Sequence, residues 1–440
     1  MKKIVIVGGG YAGFYAAWGL EKRLRRGEAS IAVIDPVPYM TYQPFLPEVA
    51  AGSIEARHAI VPLRRHLRRT AVLSGHVTGI DHATHVVHIM LPDGTTTDLH
   101  YDEVVVTAGA VTRVFPVPGV ADAAIGMKRI EEAVGIRDAV LTAFDEAACM
   151  PPGPERQRRL TVTFVGGGFA GVEGFGEVLS LGHALLRYHP GLYRDELDFR
   201  LVDASNHLLP EVTPSAREWV RRHLERRGAT VHLNTTVTSA IDGHVVLSTG
   251  ESFESGLVVW TAGIAANPVI ARHTDLPINE RGLVVVRPDL RVGTDESPVE
   301  HAWAAGDDAA VPDLAQGPGH YTVPNAQHAV RQGKQLAKNI VRTLRGRPAR
   351  AYRHRNLGTI ATLGLGHGIF QSGPITVKGF PAWLLHRGYH VLAVPTWERK
   401  VRVSLGWIGA LFLGRDIASL ETVQDPRAAF REDAGSTRSA

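Results

Sequence analysis

The chain has 440 residues, 44% hydrophobic and 21% charged, with a formal net charge of +4. This is globular composition, and the length suits two or three domains with cores of their own. The single cysteine, Cys149, excludes an internal disulfide and a C-x-x-C redox pair, so any electron transfer runs from a cofactor straight to its acceptor.

The apolar run Ile4-Val5-Ile6-Val7 is short and passes directly into glycines, so it reads as a first β-strand rather than a signal peptide. The turn Val7-Gly8-Gly9-Gly10-Tyr11-Ala12-Gly13 opens a helix, and a second strand, Ile31-Ala32-Val33-Ile34, ends in Asp35. The basic clusters at 64–69 and 342–355 read as solvated faces of an arginine-rich chain. No nucleic-acid motif accompanies them, so no nucleic-acid partner is expected. His82, His85 and His88 read as one strand of a hairpin. Alternation then sends His85 to the face opposite the other two, and no metal site is expected.

Further on, Val104-Val105-Val106 leads into Thr107-Ala108-Gly109. A helix at 131–148 and the linker Pro151-Pro152-Gly153-Pro154 precede a second copy of the opening pattern. The copy runs Val165-Gly166-Gly167-Gly168-Phe169-Ala170-Gly171, then Phe199-Arg200-Leu201-Val202-Asp203. Val258-Val259-Trp260 leads into Thr261-Ala262-Gly263, and Ala302-Trp303-Ala304-Ala305 ends in Gly306-Asp307. No run reaches the ~18–20 apolar residues a spanning helix needs.

Strand, turn, helix and strand written twice predict an α/β fold with two Rossmann-like dinucleotide-binding domains, the second inserted in the first. The expected divisions are an FAD-binding domain at 1–117 and 266–348, an NADH-binding domain at 118–265, and a C-terminal membrane-associating or dimerising region at 349–422. A polar tail, 423–440, is expected to be frayed.

In each turn the first glycine (Gly8, Gly166) permits the tight bend. The second (Gly10, Gly168) lets backbone approach a pyrophosphate, and the third (Gly13, Gly171) packs helix on strand. The helix N-terminus offers unpaired N–H groups and a positive dipole end to the phosphates. Asp35 and Asp203 stand where a carboxylate accepts hydrogen bonds from ribose hydroxyls. Asp203 would also repel a 2′-phosphate, which favours NADH over NADPH. Asp307, at a strand end, can accept hydrogen bonds from a ribityl chain. That assigns FAD to the first turn, with Gly9 and Ala12, and NADH to the second, with Phe169 and Ala170.

With these segments in place, the sequence resembles the type II NADH dehydrogenases, single-subunit NADH:quinone oxidoreductases of the pyridine nucleotide-disulfide oxidoreductase superfamily. The resemblance spans about residues 1–420. Beyond the glycine turns it is carried by Thr41-Tyr42-Gln43-Pro44-Phe45-Leu46-Pro47-Glu48, by Gly171-Val172-Glu173 with Gly176-Glu177, by Val259-Trp260-Thr261-Ala262-Gly263-Ile264, and by Pro324-Asn325-Ala326-Gln327-His328-Ala329.

The resemblance implies an FAD site that includes Gln43, Pro44, Val77, Ala108, Gly109, Gly306, Ala326 and Gln327. It implies an NADH site that includes Glu173, Ala262 and Gly263. Glu173 would lie near nicotinamide and flavin, and Gln327 at the quinone side of the flavin. One position departs from the family: Arg331 stands where a second glutamine is usual, one helical turn after Gln327. An arginine there would make the acceptor pocket more polar. Lys378 is a weaker candidate for the flavin's carbonyl edge.

The aromatics and short apolar faces at 383–392 and 407–413, with Arg399, Lys400 and Arg402 between them, suit helices lying in a headgroup layer. A domain cap or homodimer interface is the other reading. The expected enzyme is a peripheral, non-pumping respiratory-chain oxidoreductase on the cytoplasmic side of the cell membrane. It would take hydride from NADH to FAD and pass two electrons to menaquinone or ubiquinone. A flavin reductase with a soluble or protein acceptor, and a non-enzymatic redox-sensing flavoprotein, remain open at this point.

Overall fold

The computed structural model describes residues 1–354 and 358–419, and among these the side chain of Leu411 is left aside. They form two compact units. The first comprises 1–41, 60–111 and 264–354; the second comprises 42–59, 112–263 and 358–419. The fold is mixed α/β, with one Rossmann-like sheet in each unit.

In the first unit six strands lie in the order Arg291–Gly293, Pro298–Ala304, Glu103–Val106, Lys2–Val7, Ala29–Asp35 and Thr70–Ser74. All neighbours pair parallel except the first two. Such strands are covered on both faces, which is why Ile4 to Val7 and Val104 to Val106 read as unbroken apolar runs and are buried. Helix Tyr11–Arg23 packs on helix Ala326–Leu344 through small residues. A Cβ at Gly333 would sit 2.3 Å from the Ala12 carbonyl oxygen, and one at Gly19 would sit 2.7 Å from Ala337 Cβ.

In the second unit five parallel strands lie in the order Ala124–Gly126, Leu257–Trp260, Thr161–Val165, Asp198–Val202 and Ala229–His232. Helix Phe169–Leu185 covers this sheet, and its Phe175 packs edge to face on Phe164 and Phe199 of the strands, with centroids 5.6 and 6.4 Å away. An antiparallel sheet, Thr359–Thr362, Gly368–Ser372 and Ile375–Lys378, leads into helices Phe380–Ala393 and Trp397–Leu413. None of the described helices is long and apolar enough to cross a membrane.

One expectation is overturned. His82 and His85 do not alternate along a strand, because residues 82–85 form the turn between strands His76–Asp81 and Val86–Met90. Asp81 Oδ1 accepts the Thr84 amide at 3.1 Å, and His85 adopts φ +57°. The rings of His82 and His85 therefore stack at 5.2 Å, and His85 stacks on Tyr101 at 5.2 Å. His88 pairs with Asp98 at 2.7 Å.

Candidate dinucleotide-binding sites

The first glycine turn lies at the C-terminal end of the central strand, where register pairs Val7 with Ile34 and Val106. Gly8 has φ +98°, and a Cβ there would lie 2.3 Å from the Thr107 carbonyl oxygen. A Cβ at Gly13 would lie 1.9 Å from the Gly8 carbonyl oxygen. Gly10 is different: nothing stands within 4 Å of its Cβ position. The protein itself demands the first and third glycines, and the second leaves open space above a helix start with no side-chain cap. Thr107 Oγ1 donates to the Val7 and Gly8 carbonyls at 3.0 Å each, locking the turn. Asp35 accepts the Gly9 amide at 2.7 Å and the Val37 amide at 2.9 Å. Burial pushes its carboxyl above the usual range, against the pull of those amides.

The second turn repeats this geometry. Gly166 has φ +116° and its Cβ position lies 2.7 Å from the Thr261 carbonyl; that of Gly171 lies 1.9 Å from the Gly166 carbonyl oxygen; Gly168 again faces open space. Thr261 Oγ1 donates to Val165 and Gly166 carbonyls at 2.9 and 3.2 Å. Asp203 accepts the Gly167 amide, and the Ser205 amide at 2.8 Å. Phe169 and Ala170 open the helix, with Ala170 exposed, and Ala262 and the exposed Gly263 follow Thr261 in the loop.

A third segment joins the first turn. Ala304 pairs with Val106, so Gly306 and Asp307 leave the sheet beside Ala108 and Gly109. Gly306, at φ +98°, has its Cβ position 3.2 Å from Ala12 Cβ, and its amide donates to Gln332 Oε1 at 2.8 Å. Gln332 also donates to Thr322 Oγ1 at 3.1 Å. Asp307 is half-buried. Asp308, fully buried, faces the amides of Ala108 and Gly109, and burial pushes its carboxyl up to about 7. The sequence pointed to Asp307 and passed over Asp308 and Gln332.

Val77 is buried in the first unit, paired with Ile89. Ala326 and Gln327 open their helix behind Asn325, whose side chain accepts the His328 amide at 2.8 Å. Arg331 donates to His354 Nε2 at 2.9 Å, and His328 meets the Tyr352 hydroxyl at 3.0 Å. Gln43 and Pro44 belong to the second unit, where Gln43 Nε2 donates to the Lys128 carbonyl at 3.3 Å. Lys378 is exposed, its Nζ 5.5 Å above the Trp219 ring.

Glu173, in the first turns of helix Phe169–Leu185, is 9% exposed. Its Oε1 accepts the Thr362 amide at 3.1 Å and lies 3.2 Å from His386 Nε2. One helical turn on, Glu177 accepts Thr362 Oγ1 at 2.9 Å and lies 3.5 Å from Arg415. Glu48 accepts Trp407 Nε1 at 2.5 Å and lies 3.5 Å from Arg387. Burial raises the Glu48 carboxyl, against the pull of Arg387. The Arg387 guanidinium sits between the Trp383 and Trp407 rings, 4.4 and 4.5 Å from their centroids, and so joins the two C-terminal helices. The antiparallel sheet reaches this helix because Gly176 carries no side chain; a Cβ there would lie 2.5 Å from the Leu363 carbonyl carbon.

Residues 2–333 match the pyridine nucleotide-disulphide oxidoreductase family. The chain is 30% identical over 431 residues to a type II NADH:quinone oxidoreductase, NdhA, of Mycobacterium tuberculosis, covering 94% of this chain and 87% of that protein. It is 26% identical over 413 residues to the demethylphylloquinone reductase NdbB of Synechocystis, covering 92% and 95%. The structure of NDH2 from Plasmodium falciparum in complex with NADH superposes with a TM-score of 0.86 at 17% identity, over 95% of this chain and 99% of that one.

Proposed function

Because the chain belongs to the pyridine nucleotide-disulphide oxidoreductase family, and within it to the type II NADH:quinone oxidoreductases, we propose that it oxidises NADH at its second glycine turn, holds FAD at its first, and reduces a membrane quinone. The observation that carries this reading is the duplicated turn. In both copies the outer glycines are enforced by backbone contacts while the middle one faces open space. A carboxylate tethered to the turn follows each.

The residues of the first turn fit FAD. The open face at Gly10 has room for a pyrophosphate, Asp35 lies beside it for a ribose, and Asp307 with the buried Asp308 brings acids toward Ala108 and Gly109. When bound, FAD supplies the two-electron chemistry that links a hydride donor to a quinone. The chain's own part is placement. Gly166 to Gly171 hold the NADH pyrophosphate at a helix N-terminus, Asp203 accepts from the adenosine ribose, and Glu173, fixed by Thr362 and His386, orients the nicotinamide carboxamide. Gln327, at its helix start, faces the acceptor. Arg331, shared with His354, is the local cation.

The C-terminal helices support attachment to a membrane face. Helix Phe380–Ala393 turns Phe380, Leu384, Leu385, Tyr389 and Leu392 outward, and Trp397–Leu413 exposes Trp397, Leu405, Ile408 and Phe412. Leu392, Trp397 and Phe412 are each more than three-quarters exposed, with Lys400 and Arg402 nearby, which suits apolar insertion beneath a cationic rim. A lipid-dissolved acceptor has to be met at that surface.

Anaerobic stopped-flow mixing tests the function. NADH is expected to bleach the bound flavin, and menaquinone or ubiquinone analogues to restore its colour at enzyme-like rates of ~1–10³ per second. Rapid bleaching with no quinone able to restore the colour removes the quinone assignment and leaves a flavin reductase with another acceptor.

A further inference from the structure

We propose that Asp308 is a positioning residue of the FAD cradle whose buried carboxyl must be neutral for the cofactor to be held, so that FAD binding at the first turn draws a proton from water. The inference deepens the reading of the first turn given above and rests on it.

Three segments of the first unit meet at this carboxyl. A Cβ at Gly8 would lie 2.3 Å from the Thr107 carbonyl oxygen and 2.9 Å from Ala108 Cα, so the glycine turn and the loop 107–109 are in contact. The Cβ position of Gly306 lies 3.2 Å from Ala12 Cβ and 3.8 Å from Asp308 Oδ1, so the loop 305–308 touches the helix that follows the turn. Asp308 itself faces the Ala108 and Gly109 amides. Its backbone is fixed from the other side: its carbonyl accepts the Val284 amide at 2.9 Å, and Ala309 pairs with Val284. The carboxyl is thus a strut between the two loops that flank the open space over Gly10.

This acid differs from the buried acids that carry a counter-charge. Glu48 and Glu177 each face a guanidinium at 3.5 Å, and Asp138 faces Arg137 at 3.2 Å. Asp308 is fully buried, faces no cation among the described residues, and has no well-aligned hydrogen bond on either oxygen. The charged neighbour that bears on it is Asp307, of the same sign. Ionising a buried carboxyl with no cation beside it is costly, and a second carboxylate adds to the cost. Burial, with Asp307 adding to it against the pull of the Ala108 and Gly109 amides, pushes the carboxyl up to about 7.

A pyrophosphate at the first turn brings two more negative charges to the same two loops, and so favours the neutral acid further. A protonated Asp308 still accepts from the loop amides and offers one O–H donor. The balance is Asp308–COO⁻ + H⁺ + FAD → Asp308–COOH·FAD. By linkage, FAD affinity is steady below about pH 7, where the acid is already neutral, and falls as pH rises above it.

The test follows FAD release from the full-length holoprotein. Wild type and Asp308→Asn are diluted serially between pH 6 and 8.5, and free FAD is read by the return of its fluorescence. Proton uptake on adding FAD back is read with an indicator dye at the alkaline end. The wild-type dissociation constant is expected to rise about tenfold or more across that range, with proton uptake. Asp308→Asn should hold FAD within about twofold of its pH 6 affinity throughout, and take up far less proton. A strut with no role for its charge would leave the same slope in both proteins. If Asp308→Asn does not fold, Asp308→Ser takes its place. A flat wild-type affinity, or a neutral variant that keeps the wild-type slope, overturns the proposal and leaves the FAD site standing. A wild-type protein that binds no FAD overturns both.

Discussion

The middle and last glycines of the second turn should fail in opposite ways when each receives one methyl group. At Gly168 an alanine Cβ meets nothing within 4 Å and φ is −73°, so the fold accepts it. The cost is the poorer N-cap, roughly 0.5–1 kcal/mol. The new carbon instead occupies the space left for a pyrophosphate. Holding that group away from the helix amides forfeits one charge-assisted hydrogen bond of about 1.5–3 kcal/mol. The NADH KM should therefore rise about 10- to 100-fold. At Gly171 the Cβ would lie 1.9 Å from the Gly166 carbonyl oxygen and 2.6 Å from Thr261 Oγ1. Real Cβ atoms do not come within 3.0 Å, so helix and strand must part by at least 3.0 − 1.9 = 1.1 Å. Because the obstructing atom is backbone, the cost falls at the upper end of overpacking, about 3 kcal/mol. Thermal unfolding and NADH kinetics on both variants separate the effects. Gly168→Ala with a wild-type KM, or Gly171→Ala with a wild-type melting temperature, would refute the reasoning.

Asp203→Arg replaces the carboxylate at the ribose with a cation. The ratio of kcat/KM for NADPH to that for NADH should rise by about tenfold or more, and a ratio that stays put removes Asp203 from the ribose. Leu384→Glu combined with Phe412→Glu takes two apolar side chains out of a lipid contact worth roughly 1.5–3 kcal/mol each. Co-sedimentation with anionic vesicles should drop more than about tenfold; undiminished binding means these helices do not touch lipid. His183, His223 and His328 are each held down at about 4, chiefly by burial. The unfolded chain protonates them first, at about 6.5, so their contribution is fully present above that pH and is lost as pH falls from about 6.5 toward 4. The melting temperature should fall between neutral pH and pH 5, and a rise over that interval contradicts the burial of these rings.

The parts legible in the sequence are those whose cause is local. Gly8, Gly13, Gly166 and Gly171 answer to backbone contacts within one turn and its neighbouring strand, and the pattern of apolar runs gives the sheet around them. The repeated Thr-Ala-Gly at 107–109 and 261–263 also carries a local reason, since each threonine hydroxyl ties the turn carbonyls. The surroundings of Glu173 were illegible for the opposite cause. Thr362 is 189 residues away, and His386, Arg387 and Arg415 arrive from the end of the chain. Nothing in the pattern announces that Glu48 and Glu177 are buried, because carboxylates are seldom so. The spacing of His386 and His390 was the available signal, and it had meaning only once their helix was known to turn that face inward. The turn at 82–85 was misread because it contains neither glycine nor proline; its bend rests on the Asp81 carboxylate and the left-handed backbone of His85.

The central claim is that the two glycine turns hold two different dinucleotides. The most direct measurement is to release, identify and count the cofactor in purified wild-type protein and in Gly10→Ala. One FAD per wild-type chain, lost or much weakened in the variant while NADH still protects the protein against thermal unfolding, is the predicted result. Colourless wild-type protein that takes up no added FAD would contradict it.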